Sequence, residues 1–386
     1  MSKIPVYAWY FPNWHPDARN ALWHGKGWTE WQGVIHAAQR FTGHQIYHPL
    51  WGYEDESDPK VMEKKIDAAL THGVDGFLWD FYWYNDDFGE GDTKGSYRLK
   101  ALNEGFFGAK NNRDMKIALM WCNHDSIYVH PAPYRNAARS LLSGELTPQA
   151  FLNGTNYIIK NYFPRENYLR VDGKLYFILW HIPMFIAGMG GIGGARMVLD
   201  DFRRRVREAG LGELFIATVH SQIPDFMDND PAENTRLLTE VGVDGCATYG
   251  WPGEPKNPQT ATWPAFPYSE FVDNGIETFE KSTAAVKMPM NITVAQGWDS
   301  SPRTVPNDMY DNVGYPFCWI TDKKNPQDFE RALWAARRFF ESEKSTGQFI
   351  TLTTWNEWTE GNFMEPSQEE GFAYLDAVRR VFVENE

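Results

Sequence analysis

Eight times along the chain a short apolar run is followed by an amphipathic stretch, and this alternation limits the fold more than any other feature. The runs fall at residues 4–10, 76–81, 116–121, 175–180, 214–219, 245–249, 291–296 and 349–354. Helical spacing follows at 59–72, near 97–110, at 148–162 and 195–208, near 232–240, within 268–286, at 327–342 and near 369–382. Strands that are near-continuously apolar, as these are, are of the kind covered on both faces in parallel sheets. The reading is an α/β chain forming a (β/α)8 TIM barrel with long βα loops. An open doubly wound sheet uses the same elements and stays open as the alternative. No fixed-period repeat, low-complexity tract or linker divides residues 1–386, which are read as one domain.

The 386 residues carry 37 Lys plus Arg against 51 Asp plus Glu, a formal charge of −14. Such a surface repels phosphate backbones, which argues against nucleic acid as a partner. No apolar run approaches the roughly 20 residues of a membrane helix, so no membrane insertion is expected. Cys122, Cys246 and Cys318 are isolated, with neither a CxxC pair nor zinc spacing. The first residues hold no basic segment followed by an apolar core. A natural start at Met1 places the chain in the cytoplasm; a trimmed leader places it in the periplasm or outside the cell.

In barrels of this kind, reactive groups sit where strands end and the following loops begin. Strand one runs into Tyr10, with His15 and Trp28 in the loop beyond it. Later strands run into Asp80 and Tyr82, then Asn123, then His181, then His220, then Tyr249 and Trp251. The seventh leads to Trp298 and Asp299, and the eighth to Trp355, Asn356, Glu357, Trp358 and Glu360. Aromatic residues make up 16% of the chain, and many stand beside carboxylates and amides. Rings mixed with polar groups suit ligands that have one apolar and one polar face, as sugars do. The expected partner is therefore an oligo- or polysaccharide.

Glu357 and Glu360 are three positions apart just past a strand, and Gly361 permits a turn there. Glycoside cleavage needs such a pair, one carboxyl protonated to donate to the departing oxygen and one ionised as base or nucleophile. Trp355 and Trp358 are expected to raise one of the two pKa values by excluding water and to offer a stacking face. The competing structural role is capping of the following helix or an ion pair with an arginine. Asp80 or Asp299 opposite Glu360 is an alternative nucleophile.

The block from Trp355 to Gly361 resembles the Asn-Glu-Trp-x-Glu-Gly signature of the glycoside hydrolase family 99-like, or WbsX-like, domain found in bacterial polysaccharide loci. The resemblance extends to Tyr10–Pro16, Trp23–Trp31, Gly73–Phe77, Arg170–Lys174 and Gly297–Arg303. Family 99 proper comprises retaining endo-acting α-mannosidases. By resemblance, Glu357 would deprotonate a sugar 2-hydroxyl, which attacks C1 to give a 1,2-anhydro sugar. Glu360 would be the general acid/base, and Tyr249 the assisting tyrosine. The implied substrate is mannoside- or rhamnoside-like. Where many relatives have Trp-Ala-Asn, this chain reads Trp121-Cys122-Asn123-His124-Asp125, which alters that subsite.

The family's frequent description as a glycosyltransferase keeps transfer open as a second function, and a sugar-binding barrel without catalysis is a third. No DxD-like motif stands in a context suited to a diphosphate. The histidines crowded between His15 and His48 form no ligand spacing, so neither metal nor cofactor is expected. His15, His24, His181 and His220 are read instead as sugar contacts. The glycine-rich stretch 188–194 lacks the Lys-Ser/Thr ending of a phosphate loop and reads as a lead into a helix.

Overall fold

The computed structural model describes residues 3–135, 139–257, 259 and 261–385. Eight parallel strands form its centre: β1 (Val6–Tyr10), β2 (Gly76–Trp83), β3 (Lys116–Trp121), β4 (Lys174–Leu179), β5 (Leu214–Val219), β6 (Gly245–Ala247), β7 and β8 (Ile350–Thr353). β7 is in two pieces. Met290–Asn291 pairs with β6, and Thr293–Ala295 pairs with β8. β8 in turn pairs with β1 at Val6↔Ile350, so the ring of parallel strands is carried round through the single residue Ile292. This is the barrel expected from the alternation and not the open sheet.

Every residue of β1, β2 and β5 is buried, which explains their near-continuous apolar character, interrupted by Asp80 in β2 and Thr218 in β5. Rings of Tyr7, Tyr176, Phe215 and Phe349 contact one another near the strand starts, so large aromatic residues fill that end of the barrel. Four of the outer helices start with a capping side chain followed by proline: Asp58-Pro59, Thr147-Pro148, Asp230-Pro231 and Asn325-Pro326. Each cap accepts a backbone N–H of the first turn, and proline at the first helical position loses no hydrogen bond.

The second helical segment departs from the regular helix expected near 97–110. Residues Ala101–Phe106 form a π-helix. Gly105 lies so close to the Glu56 carbonyl that a Cβ there would stand 1.9 Å from it. Glycine weakens an ordinary α-helix at this point, and close packing against the first loop favours the wider turn.

Three small sheets decorate the C-terminal mouth. Ala265–Pro267 pairs with Ile320–Asp322, Ser126–Ile127 with Ser140–Leu142, and Asn356–Glu357 with Asn362–Phe363. A separate apolar cluster of Val129, Ala132 and Phe317 joins the loop after β3 to the loop after β7. Among the described residues no single helix is long and apolar enough to cross a membrane.

Candidate active site

The hairpin after β8 sets the floor of the site. The Thr354 hydroxyl accepts from the Glu357 N–H at 2.9 Å and donates to the Asn362 carbonyl at 2.6 Å, which pins both arms. Trp358–Glu360 forms a 3-10 turn, closed by Gly361 at φ +61°. A Cβ at Gly361 would lie 2.7 Å from the Asp299 side chain. Backbone conformation and close approach both call for glycine there.

Arg303 stands between the two carboxylates. Its Nη2 donates to Glu357 Oε1 at 2.9 Å, and its Nη1 donates to Glu360 Oε1 at 2.5 Å. The same guanidinium reaches Glu30 at 3.2 Å and, through Nε, the Thr359 hydroxyl at 2.9 Å. The backbone of Arg303 is fixed from the other side of the mouth, where Ala132 N–H donates to its carbonyl at 2.7 Å. Two further hydroxyls complete the dyad: Tyr249 donates to Glu357 Oε2 at 2.9 Å, and Tyr315 to Glu360 Oε1 at 2.8 Å.

The arginine pairing does not take the carboxylates out of reach. Glu357, Glu360, Arg303, Tyr249 and Tyr315 all line one cavity of about 560 Å³ at the strand ends. Burial, with the Glu360 charge second, pushes Glu357 up to about 8, against the pull of Arg303. Asp80, on the same wall, is raised to about 7 by burial, opposed by the Tyr82 hydrogen bond and by Arg98. Glu30 behaves oppositely. Burial works against its charge, yet His130, Arg303, Arg98 and Thr359 together bring it down to about 2. Burial also holds His130 near 3 and His220 near 4, so these rings on the wall are neutral at pH 7. The full positive charges lining the cavity, among the described residues, are Arg98 and Arg303.

Of the residues picked from sequence, Asp80, Tyr82, His220, Tyr249, Trp251, Trp298, Glu357 and Glu360 line this cavity. Gly275 makes room for Trp251: a Cβ there would meet the indole at 2.0 Å. The others lie elsewhere. Tyr10 is buried beneath the floor and donates to Glu56 at 2.7 Å. His15 is enclosed in the first loop, where burial lowers it to about 4. Trp28 stacks on His24 beside His130, outside the lining. Asn123 exchanges two hydrogen bonds with the backbone of His181, and His181 caps the helix Ile182–Gly188.

Asp299 accepts from the Ser301 N–H and contacts His44 Nε2 at 2.9 Å, both away from the cavity. Trp355 packs on Phe77, Trp358 stacks on Phe363, and Asn356 ties down the backbone of Phe11. None of these three side chains faces the cavity, so any stacking surface comes from other rings, Trp180 among them. Among the described residues no three His, Cys, Asp or Glu side chains converge as a metal site.

A family model described as glycosyltransferase WbsX matches residues 6–378, and so takes in every strand of the barrel and both carboxylates. The chain belongs to that family. Two strains of Xanthomonas campestris pv. campestris each hold a relative, described as uncharacterized protein WxcX, that is 23% identical to this WbsX-family chain over 386 residues. The match covers 97% of this chain and 49% of the relative. The chain therefore spans about half the length of the curated relatives it matches. A GH99 endo-alpha-mannosidase from Bacteroides thetaiotaomicron superposes with a TM-score of 0.58 at 14% identity, over 98% of this chain and 96% of that one. A glycoside hydrolase-like protein gives 0.59 at 18%, over 99% and 94%. At these identities the likeness is one of fold.

Sequence reasoning did not single out Arg98, Arg303 or Tyr315 as site residues. Arg303 sat within a stretch quoted only for its resemblance, Gly297–Arg303, and the usable signal was that this stretch follows a barrel strand.

Proposed function

We propose that this WbsX-family chain acts on the glycosidic bond of an oligo- or polysaccharide, hydrolysing it with Glu357 and Glu360. The observation that carries this is the sharing of Arg303 by two carboxylates on the floor of one aromatic-walled cavity. Such a cavity takes a sugar between rings and polar groups. Tyr82, Trp180, Trp251 and Trp298 supply the rings.

The resemblance to family 99 supports a specific sequence of bonds. Ionised Glu357 takes the proton of the 2-hydroxyl, O2 bonds to C1, and the C1–oxygen bond to the leaving sugar breaks as Glu360 gives that oxygen its proton. Water then adds to C1, leaving a proton on Glu360, while the C1–O2 bond opens and O2 recovers its proton from Glu357. The configuration at C1 is retained. The raised proton affinity of Glu357 suits a group that must strip a hydroxyl, since base strength follows pKa. Asp80 is the remaining candidate for a direct nucleophile, because it lines the cavity and Asp299 does not.

Transfer is the second reading, favoured by the family's description. It would use the same dyad with a sugar hydroxyl in place of water. A digest of a glycan panel, with the anomeric products followed by NMR, separates the two. Free reducing sugar with retained configuration, lost in both Glu357→Gln and Glu360→Gln, supports hydrolysis. No release by the unsubstituted chain, together with strong thermal stabilisation by a nucleotide diphosphate, supports transfer. Unchanged release by both variants overturns the role of the dyad.

A further inference from the structure

Arg98 is buried on the cavity wall with no anion in direct contact: Glu30 and Asp80 feel its charge only from beyond ion-pair distance. Among the described residues no carboxylate oxygen lies within ion-pair distance of its guanidinium, and its Nε has no hydrogen-bond acceptor. Three rings surround it instead: Tyr97 at 4.4 Å, Tyr82 at 4.6 Å and Phe11 at 4.9 Å from centroid to Cζ. The residue holds φ at +61°, a conformation uncommon outside glycine.

The other buried cations resolve their burial in ways closed to Arg98. Arg303 meets three carboxylates and Lys65 meets two. Lys324 has no carboxylate partner, but burial lowers it to about 7, so it can shed its proton. A guanidinium cannot. Buried charge without a partner is unfavourable, and aromatic faces offset only part of that loss. What Arg98 lacks is an anion in direct contact, and the open side of its cage is the cavity that holds the dyad.

We propose that Arg98 binds a carboxylate on the substrate, so that the glycan is an acidic one bearing a uronic acid or a carboxylate substituent. This rests on reading the cavity as a glycan site. The guanidinium of Arg98 lies 4.9 Å from the Phe11 ring and that of Arg303 lies 5.8 Å from the same ring. The two are thus separated by no more than the sum of those distances, the span of one or two pyranose rings. The carboxylate belongs on the sugar being cleaved or on its neighbour. One planar fork matches one carboxylate in shape and charge. A diphosphate would bring at least two further negative charges beside Asp80, Asp125, Glu357 and Glu360.

The test is calorimetric binding to Glu360→Gln protein, in which turnover is blocked. The probes are oligosaccharides from several uronate-containing polysaccharides, each paired with its carboxyl-reduced form. The expected result is about tenfold or greater preference for an acidic probe over its reduced partner, collapsing to about twofold or less when Arg98→Gln is added and partly restored by Arg98→Lys. Equal affinity for acidic and reduced forms, no binding of any acidic probe, or a preference that survives Arg98→Gln overturns the proposal. Should Arg98→Gln fail to fold, the acidic-to-reduced ratio with Arg98 present decides alone. Preference without turnover by the unsubstituted chain would sink the hydrolase reading and leave this one standing. Equal cleavage of acidic and reduced glycans would do the reverse.

Discussion

The Tyr249 hydroxyl donates to Glu357 Oε2 at 2.9 Å, joining the loop after β6 to the hairpin after β8 across the cavity floor. A donor held on a carboxylate favours its charged form. In Tyr249→Phe the Glu357 pKa should rise beyond its present value of about 8, because burial and Glu360 then act with one fewer opposing contact. Loss of a hydrogen bond to a charged group corresponds to about 10- to 100-fold. On a glycan that the parent cleaves, kcat should fall by that order and the acid limb of the pH profile should move to higher pH. An unmoved limb would show that the tyrosine does not tune Glu357.

Arg303 joins Glu30, Glu357 and Glu360, all of them buried. Removing the cation leaves three carboxyl groups facing one another without compensation. Breaking a buried ion pair from one side costs about 3–5 kcal/mol. Arg303→Met should lose stability of that order in urea unfolding at pH 7. Arg303→Lys should recover stability better than activity, since an ammonium lacks the fork that spans both carboxylates of the dyad.

Much of this arrangement was legible in the sequence, and the physical reason differs from part to part. The strands were readable because a parallel barrel covers both faces of each one, which makes residues 76–81 and 214–219 apolar but for Asp80 and Thr218. Helix starts carried their own chemistry in Asp58-Pro59 and Asn325-Pro326. Glu357 and Glu360 were legible because they follow the last strand. Trp355 and Trp358 were not, since a hairpin and a 3-10 turn have no period from which the facing side can be deduced, and both indoles turned into the core. Arg303 reaches the floor because Ala132, more than 170 positions earlier by number, holds its carbonyl. No local pattern records such a contact.

Glu357 also links stability to pH. Its carboxyl takes about 8 in the fold against an ordinary 4.5. Between those values the folded chain binds more protons at this site than the unfolded chain does, so its contribution to stability falls as pH rises. The contribution is fully present below the ordinary value and is lost as pH climbs through about 8. Urea midpoints taken from pH 4.5 to 8.5 should decline more steeply in the parent than in Glu357→Gln, with a difference on the order of a few kcal/mol across the window. Parallel slopes in the two proteins would mean that Glu357 titrates normally.

Beneath the floor lies a second charged group, and its arrangement predicts how the hairpin is held. Lys65 contacts Glu56 and Glu365, each at 2.5 Å, and all three are almost wholly buried. Glu56 also accepts from Tyr10 at 2.7 Å and from Asn356 at 2.8 Å, while Glu365 accepts from the Trp358 indole at 2.7 Å. Both anions therefore grip residues adjoining Glu357, one on each side of it. Lys65→Met should leave them uncompensated and cost about 3–5 kcal/mol in urea unfolding. Adding Glu56→Gln and Glu365→Gln removes the stranded charges and should restore much of that stability, because a neutral hydrogen-bonded cluster avoids the desolvation of ions. The triple variant separates two roles. If charge fixes the hairpin, kcat stays low while the unfolding midpoint recovers; if hydrogen bonding alone fixes it, both recover together.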